Sequence, residues 1–469
     1  MPDSSYGVLY KPSSSPVIQP LTINDLKKHG ISYVRLQWVD FANSVKCRVL
    51  SMSYFEKLLQ GPRPGIGIVT CLAVSSRSSH LTESIYVADL STLRLCPYAP
   101  GHASVMGHFQ YKTPLQKGLN DSTSFSHPFC TRTLLQRIVR ETKTEFGIDY
   151  LVGFETEFML LRSTEPLVAS DIHRSSGSEA LLTGTPAATV MQEIADSLQS
   201  SGIDLVLYHA ERGPGQYEVV TGPLAPLEAV DALVHTHETI RNTASKRGLF
   251  ASFAPRLFQK SAGNGLHAHI SLHSSKEEGK QHPDNLSQHE TSFLAGILDH
   301  LPGLITLTLP TPPSYGRMKD GIRTNSTFVC WGIETREAPV RVKDFASPSS
   351  RRFEFRALDC TANPYIALAG VLIAGYAGIK SARTLTIKDI GYIGASELDE
   401  DARQALGIHR RLPLSWEEAR EVFSQDQVLQ SFLDKEFVTE YMKANELIGN
   451  IFKQNENSPD AMSRLAELY

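Results

Sequence analysis

Paired cysteines are missing from this sequence. The six that occur, Cys47, Cys71, Cys96, Cys130, Cys330 and Cys360, form no C-x-x-C motif, which speaks against a zinc ribbon or a disulfide framework and predicts reduced thiols in a cytoplasmic protein. An excess of either charge is missing too. With 46 basic against 50 acidic residues and a formal net charge of -4, neither nucleic acid nor an anionic membrane is expected as a partner. Long apolar runs are absent: the most membrane-like stretch, residues 365–379 (YIALAGVLIAGYAGI), falls short of the roughly 20 residues a span needs. Its Ala and Gly content, with Asn363 placed to cap and Pro364 at the first helical position, predicts a tightly packed core helix. The N-terminal residues MPDSSYGVLYKPSSSPVIQ lack the basic-then-apolar order of a secretory signal. Neither a G-x-x-x-x-G-K-[ST] loop nor the protein-kinase motif set occurs, so any nucleotide must be held by other means.

What is present has the composition of a large globular enzyme. The 469 residues are 41% hydrophobic and 20% charged, enough for about two or three domains with a sizeable core. Residues 1–20 are Ser/Pro-rich and read as a flexible arm. LTINDLKKHGISYVRLQWVDF then predicts a short helix and a strand ending at Asp40. Short β-like segments continue to about Tyr98, and Pro97, Pro100 and Gly101 suggest a domain edge. From TRTLLQRIVRETKTEF onward, helical patterns alternate with short strands in an α+β or α/β body. Polar stretches at 163–178 and 274–288 read as loops, Ser415 with Glu418 as a capping box, and 438–452 as a further helix.

Four segments set polar residues against an apolar face. In LVGFETEFML, period-two alternation puts Glu155 and Glu157 on one side and Phe154 and Phe158 on the other. Like charges a few Å apart resist joint ionisation, and a divalent cation would remove that penalty. A solvated strand face explains this segment equally well. HAERGPGQYEVV carries Glu211 and Glu218 on either side of Gly213-Pro214-Gly215, a turn able to bring them together, or simply two surface acids. GLHAHISLH places His267, His269, Ser271 and His273 opposite Leu266, Ala268, Ile270 and Leu272. RRFEFRALD places Arg352, Glu354 and Arg356 opposite Phe353 and Phe355, either as an ion-pair ladder or as a metal ligand flanked by anion binders. Five carboxylates and one imidazole suit Mg²⁺ or Mn²⁺ better than zinc. Arg317, Arg336, Arg341 and Arg356 add planar donors for phosphate and carboxylate, a combination that implies phosphoryl transfer from a nucleotide.

In order along the chain, GFETEF, ERGPGQYE, NGLHAHISL, SYGRM, TREAPVR and RRFEFRALDCTANPYIALAG resemble the glutamine synthetase family, in the long branch of bacterial type I enzymes and their eukaryotic relatives. The resemblance implies an α+β fold: a small β-grasp domain at residues 21–105 packed on a catalytic domain at 106–469, whose curved antiparallel sheet is flanked by helices. It implies ATP and two Mg²⁺ or Mn²⁺ ions per site, with Glu157, Glu211 and Glu218 on one metal and Glu155, His267 and Glu354 on the other. His269, Ser271, Arg336 and Arg341 match nucleotide and phosphate positions. Arg317 and Arg356, with Gly263, Asn264 and Gly265, match the substrate side, and Arg317, Arg336 and Arg356 are the expected catalytic arginines. The implied reaction passes the γ-phosphate of ATP to a carboxylate, after which an amine or ammonia attacks the acyl phosphate. The implied assembly is a homododecamer.

The ammonia half of the pattern departs from the family. A DGSS-like aspartate is replaced by RPGIGI at residues 63–68, a flap glutamate by Arg323 with Asp320 as the nearest acid, and an Asn-Gly pair by Ala262-Gly263. A glutamate-type carboxylate joined to an organic amine is therefore expected over authentic glutamine synthesis. The contrasting expectation is a non-catalytic ring-forming relative of structural or regulatory role.

Overall fold

The computed structural model describes residues 8–12, 21–74, 81–115, 124–171, 177–259, 261–274, 286–320, 326–454 and 460–469. Most of the expected arm at 1–20, most of the 274–288 stretch and Arg323 lie outside the described residues.

Eight strands form in the N-terminal part: β1 (Tyr33–Val39), β2 (Val45–Ser51), β3 (Gly65–Val69), β4 (Glu83–Ala88), β5 (Arg94–Leu95), β6 (His102–Val105), β7 (Gly107–Leu115) and β8 (Ser124–Ser126). They make two four-stranded sheets, β2-β1-β6-β5 and β3-β4-β7-β8. The parallel pairing of β1 with β6 beside the antiparallel β1–β2 hairpin is the mixed arrangement expected of a β-grasp. Val34, Leu36, Trp38, Phe55, Tyr86 and Phe109 pack its core. Pro97, Pro100 and Gly101 lie in the turn that joins β5 to β6, closed by Cys96 N–H donating to His102 O at 3.0 Å, so they mark a hairpin within one sheet.

A nine-stranded sheet dominates the remainder. Its strands are β9 (Ile148–Thr164), β10 (Leu167–Ala169), β11 (Leu205–Ala210), β12 (Gln216–Thr221), β13 (Phe250–Ser252), β14 (Leu266–Ser274), β15 (Trp331–Ile333), β16 (Val340–Lys343) and β17 (Arg352–Phe355). The order is β11-β12-β9-β14-β17-β16-β15, with β10 and β13 also on β9. Only β15 and β16 run parallel among the described pairs. The apolar half of each alternating strand drives the layering. Phe154, Phe158, Ile270, Phe353 and Phe355 are buried in one core with Ile240 and Phe293 of helices Pro226–Lys246 and Gln288–Thr308. The opposite face of the same strands is left for polar side chains.

The apolar run became helix Pro364–Lys380, buried from Pro364 to Ile379. The Asn363 side chain accepts from Tyr365 N and Ile366 N at 3.0 and 3.2 Å, as a cap should. Glycines let this helix approach Gln288–Thr308 closely. A Cβ at Gly375 would lie 2.1 Å from the Phe293 ring, and one at Gly378 would lie 2.1 Å from Ser292 O. Among the described residues no helix is long and apolar enough to cross a membrane.

Local readings differ in three places. The 163–178 stretch contains the end of β9 and all of β10, because Leu167–Ala169 folds back onto its own strand. Ser415 caps helix Trp416–Gln425 through Glu418 N, but the Glu418 carboxylate accepts from Leu414 N at 2.9 Å, so the reciprocal half of the box is displaced by one residue. The late helix is longer than expected, Lys435–Gln454.

Candidate active site

Strand register builds the polar face. Glu157 lies opposite Glu218, Glu155 opposite His267, His269 opposite Glu354, and Glu354 opposite Arg341. One further strand out, His209 stands opposite Glu218. Side chains two residues apart share a face, so alternation and register together gather a band of acids and imidazoles across β11, β12, β9, β14, β17 and β16.

At the centre, His267 Nδ1 is 3.0 Å from Glu155 Oε2 and 3.7 Å from Glu354 Oε1, while its Nε2 is 4.0 Å from Glu157 Oε1. His269 Nε2 is 2.9 Å from Glu155 Oε1. Glu354 is fully buried between Arg341 and Arg356, paired with both guanidinium groups. Glu157 Oε2 accepts from Gly265 N at 2.8 Å and Gln216 Nε2 at 3.2 Å. Glu211 and Glu218 flank the Gly213-Pro214-Gly215 turn. That turn needs glycine at 215: φ is +59°, and a Cβ there would sit 2.5 Å from Leu160 O.

Burial and mutual repulsion shape the electrostatics. Burial, then the charges of Glu218 and Glu211, push the Glu157 carboxyl up to about 8, and burial also raises Glu218. Burial opposes ionisation of Glu354 as well, but Arg356 above all holds it down at about 2. Glu155 falls well below the carboxylate range against its own burial, because His269 and His267 face it. Burial and Arg356 push His267 down to about 4, which leaves the imidazole neutral.

A buried, self-repelling carboxylate cluster beside a neutral imidazole has the donor chemistry of a divalent-cation site. Ligand atoms within 4.8 Å of one another form three sets: Glu155 with Glu218 and His267, Glu155 with His269 and Glu354, and His209 with Glu211 and Glu218. All six expected ligands belong to one band, yet the sets differ from the expected division. Glu157 is in none of them; its Oε2 accepts from Gly265 and Gln216, and its Oε1 lies 4.0 Å from His267 Nε2.

The arginines separate. Arg317, at the end of the 3-10 turn Pro312–Arg317, is buried, and its Nε and Nη1 have no hydrogen-bond partner among the described residues. It lies against the glycines: a Cβ at Gly265 would be 3.0 Å from Arg317 Nη2, and one at Gly263 would be 3.1 Å from its Cδ. Arg341 Nε and Arg356 Nε are buried and similarly unpartnered. Arg336 is exposed, between β15 and β16. Asn264 is engaged, donating to Ala254 O at 2.9 Å and accepting from Gln216 at 3.0 Å. Ser271 pairs with His273 at 2.9 Å.

A cavity of about 240 Å³ opens beside the band and is lined by Glu155, His269, Ser271 and Arg352 together with apolar residues of β9, β11 and β12.

Sequence reasoning missed His209 and Gln216. His209 Nε2 is 3.2 Å from Glu218 Oε1, and that bond, with some loss to burial, raises its pKa to about 9. The signal was present: His209 and Glu211 are two apart ahead of the turn, the same spacing that singled out Glu155 and Glu157. Gln216 bridges Glu157, Gly263 and Asn264, a role no periodicity reveals.

A family profile for the glutamine synthetase catalytic domain matches residues 128–455. Protein fluG of Emericella nidulans is 34% identical over 88% of this chain and 46% of its own length, so the chain spans just under half of that relative. The γ-glutamylpolyamine synthetase GlnA3 of Streptomyces coelicolor is 33% identical over 66% of this chain and 66% of the relative. Among solved structures, Plasmodium falciparum glutamine synthetase superposes with a TM-score of 0.76 at 19% identity, covering 93% of this chain and 97% of that one, a likeness of fold. The profile match and the ordered site motifs lead to one conclusion: the chain belongs to the glutamine synthetase family, whose members are ATP- and divalent-metal-dependent ligases.

Proposed function

We propose that this chain is an ATP-dependent carboxylate–amine ligase that forms an amide through an acyl phosphate, on glutamate or a related carboxylate. The observation that carries the reading is the convergence of five carboxylates with buried arginines whose donors are unspent. Leaving a buried donor unpaired costs on the order of 1–3 kcal/mol, and an anionic substrate would offset that cost. Glu157, Glu211 and Glu218 would hold one Mg²⁺ or Mn²⁺, with His209 beside them, and Glu155, His267 and Glu354 the other. When bound, the metals neutralise phosphate oxygens and polarise the γ-phosphoryl group. His269, Ser271, Arg336 and Arg341 would contact the nucleotide. Arg317, with free donors beside Gly263 and Gly265, would fix the substrate carboxylate in line for phosphorylation, and Arg356 would steady the acyl phosphate.

For the nucleophile, an organic amine is the better fit. Ammonium needs acids to attract and deprotonate it; the acid nearest the flap position in sequence is committed, and RPGIGI supplies none. Asp320 is paired with Arg411 at 2.5 Å and bonded to Thr327. Arg63 of RPGIGI is held by Gln110 and Tyr111 O and lies over Phe125. The polyamine-acting name of one relative supports the same direction. We also propose a cytoplasmic homododecamer, and an N-terminal β-grasp domain at residues 21–105 packed on a catalytic domain at 106–469. Light scattering tests the assembly.

The deciding experiment for the activity is ADP release by the purified protein across a panel of carboxylates, with ammonium or organic amines as co-substrate. An organic amine should outperform ammonium, and Arg323→Glu should move the preference toward ammonium. No ADP release with any pair would sink the ligase reading. Ammonium as the best nucleophile by a wide margin would sink the amine reading alone.

A further inference from the structure

The cavity beside the carboxylate band has a wall that the catalytic strands do not supply. Its floor follows the strands away from the metal-ligand candidates: Glu155, Gly153 and Leu151 along β9, His269 and Ser271 along β14, and Val220 on β12. Register keeps these together, since His269 lies opposite Gly153 and Ser271 opposite Leu151. Beside these, the lining takes in apolar Leu151, Val206, Val220 and Pro223, polar Thr221, Asp344, Ser349, Ser350 and Arg352, and, from the N-terminal segment, Val8 and Tyr10.

Tyr10 reaches the β11 end of the cavity. Its hydroxyl donates to Asp204 Oδ2 at 3.4 Å. Asp204 is itself held in place: its backbone carbonyl accepts from Gly222 N at 2.8 Å. A Cβ on Gly222 would fall 2.2 Å from Asp204 Oδ2, so the glycine leaves room for that carboxylate. Gly153 leaves the floor bare, and a Cβ there would come within 3.2 Å of Thr221 O.

A cavity that combines an imidazole, a hydroxyl and a guanidinium (His269, Ser271, Arg352) with apolar side chains and one aromatic ring has the chemistry to take a nucleoside phosphate, phosphates toward the polar groups and base toward the ring. We propose that Tyr10 is a wall of the nucleotide pocket and a determinant of which base it accepts. The inference rests on the ligase reading, which puts ATP in this cavity, and adds a residue from outside the catalytic strands.

The test is calorimetric titration of the full chain with Mg-ATP and Mg-UTP, comparing wild type, Tyr10→Ala and Tyr10→Phe. Loss of an aromatic face against a base is expected to raise the ATP Kd of Tyr10→Ala by about five- to a hundredfold and to narrow the preference for ATP over UTP. Tyr10→Phe keeps the ring, loses the Asp204 bond, and should retain most of that preference. The KM for the carboxylate substrate should not move. Wild-type ATP affinity in Tyr10→Ala would overturn the proposal, and so would tighter binding, which would make the segment an obstruction. A wild-type protein that binds neither nucleotide would overturn the ligase reading along with it.

Discussion

Arg132 and Arg317 are equally buried, each 3% exposed, and differ in what surrounds them. Arg132 donates from Nε and Nη2 to the two oxygens of Asp231 at 2.9 and 2.7 Å, reaches Asp89 at 3.0 Å, and donates to Gly107 O at 2.9 Å. Tyr365 adds a bond to Asp231 at 2.6 Å. This cluster ties helices Thr131–Phe146, Pro226–Lys246 and Pro364–Lys380 to the N-terminal sheets, and its charges are matched in place. Arg317 sits beside Glu157, a carboxyl raised by its neighbours, and keeps two donors unspent. The comparison teaches how to separate a buried charge that holds the fold from one held ready for a ligand: the first is saturated, the second is not.

Substitutions that remove one charge from each cluster should break the comparison in opposite ways. The largest effect is expected for Glu157→Gln. It removes a carboxylate from the band, so turnover should fall by about a thousandfold or more. The melting temperature should stay level or rise, because like-charge repulsion is relieved. Glu354→Gln should lose turnover similarly but also stability, because it strands Arg341 and Arg356. Calorimetric melting alongside ADP release distinguishes the two.

Next, Asp231→Ala should cost about 3–5 kcal/mol in denaturant unfolding, because the buried Arg132 loses its two-pronged partner and keeps only Asp89, and Tyr365 loses its acceptor. Activity per folded molecule should be retained. Severe loss of activity in the folded fraction would show that the Arg132 cluster is not purely structural. A smaller effect is expected for His209→Ala, which releases Glu218. Half-activation should need about ten- to a hundredfold more Mg²⁺, read from metal titrations at saturating ATP. Smallest is Asp320→Asn, whose exposed pairing with Arg411 contributes about 0–1 kcal/mol. Ammonium-supported ADP release should not change, and a marked drop would make Asp320 the missing acid.

The same contrast shows which features were legible in the sequence. Glu155, Glu157, His267, His269 and Glu354 stood out because alternation against Phe154, Phe158, Ala268, Phe353 and Phe355 is a local property of each strand. The buried helix Pro364–Lys380 and its Asn363 cap were equally local. What escaped depends on pairing between distant segments. Register puts His209 next to Glu218 and pairs β7 with β4, and nothing within either segment encodes that partner. Asn264 was placed on the substrate side, and its contacts with Gln216 and the Ala254 carbonyl were not legible in the sequence.

The central claim is that the carboxylate band is a divalent-metal site through which nucleotide is held. Titration calorimetry of ATP into the wild-type chain, with excess Mg²⁺ and then with excess chelator, tests it most directly. The account predicts measurable binding with Mg²⁺ that weakens severely in chelator and is lost in Glu157→Gln under both conditions. Equal ATP affinity with and without chelator in the wild-type chain would contradict it.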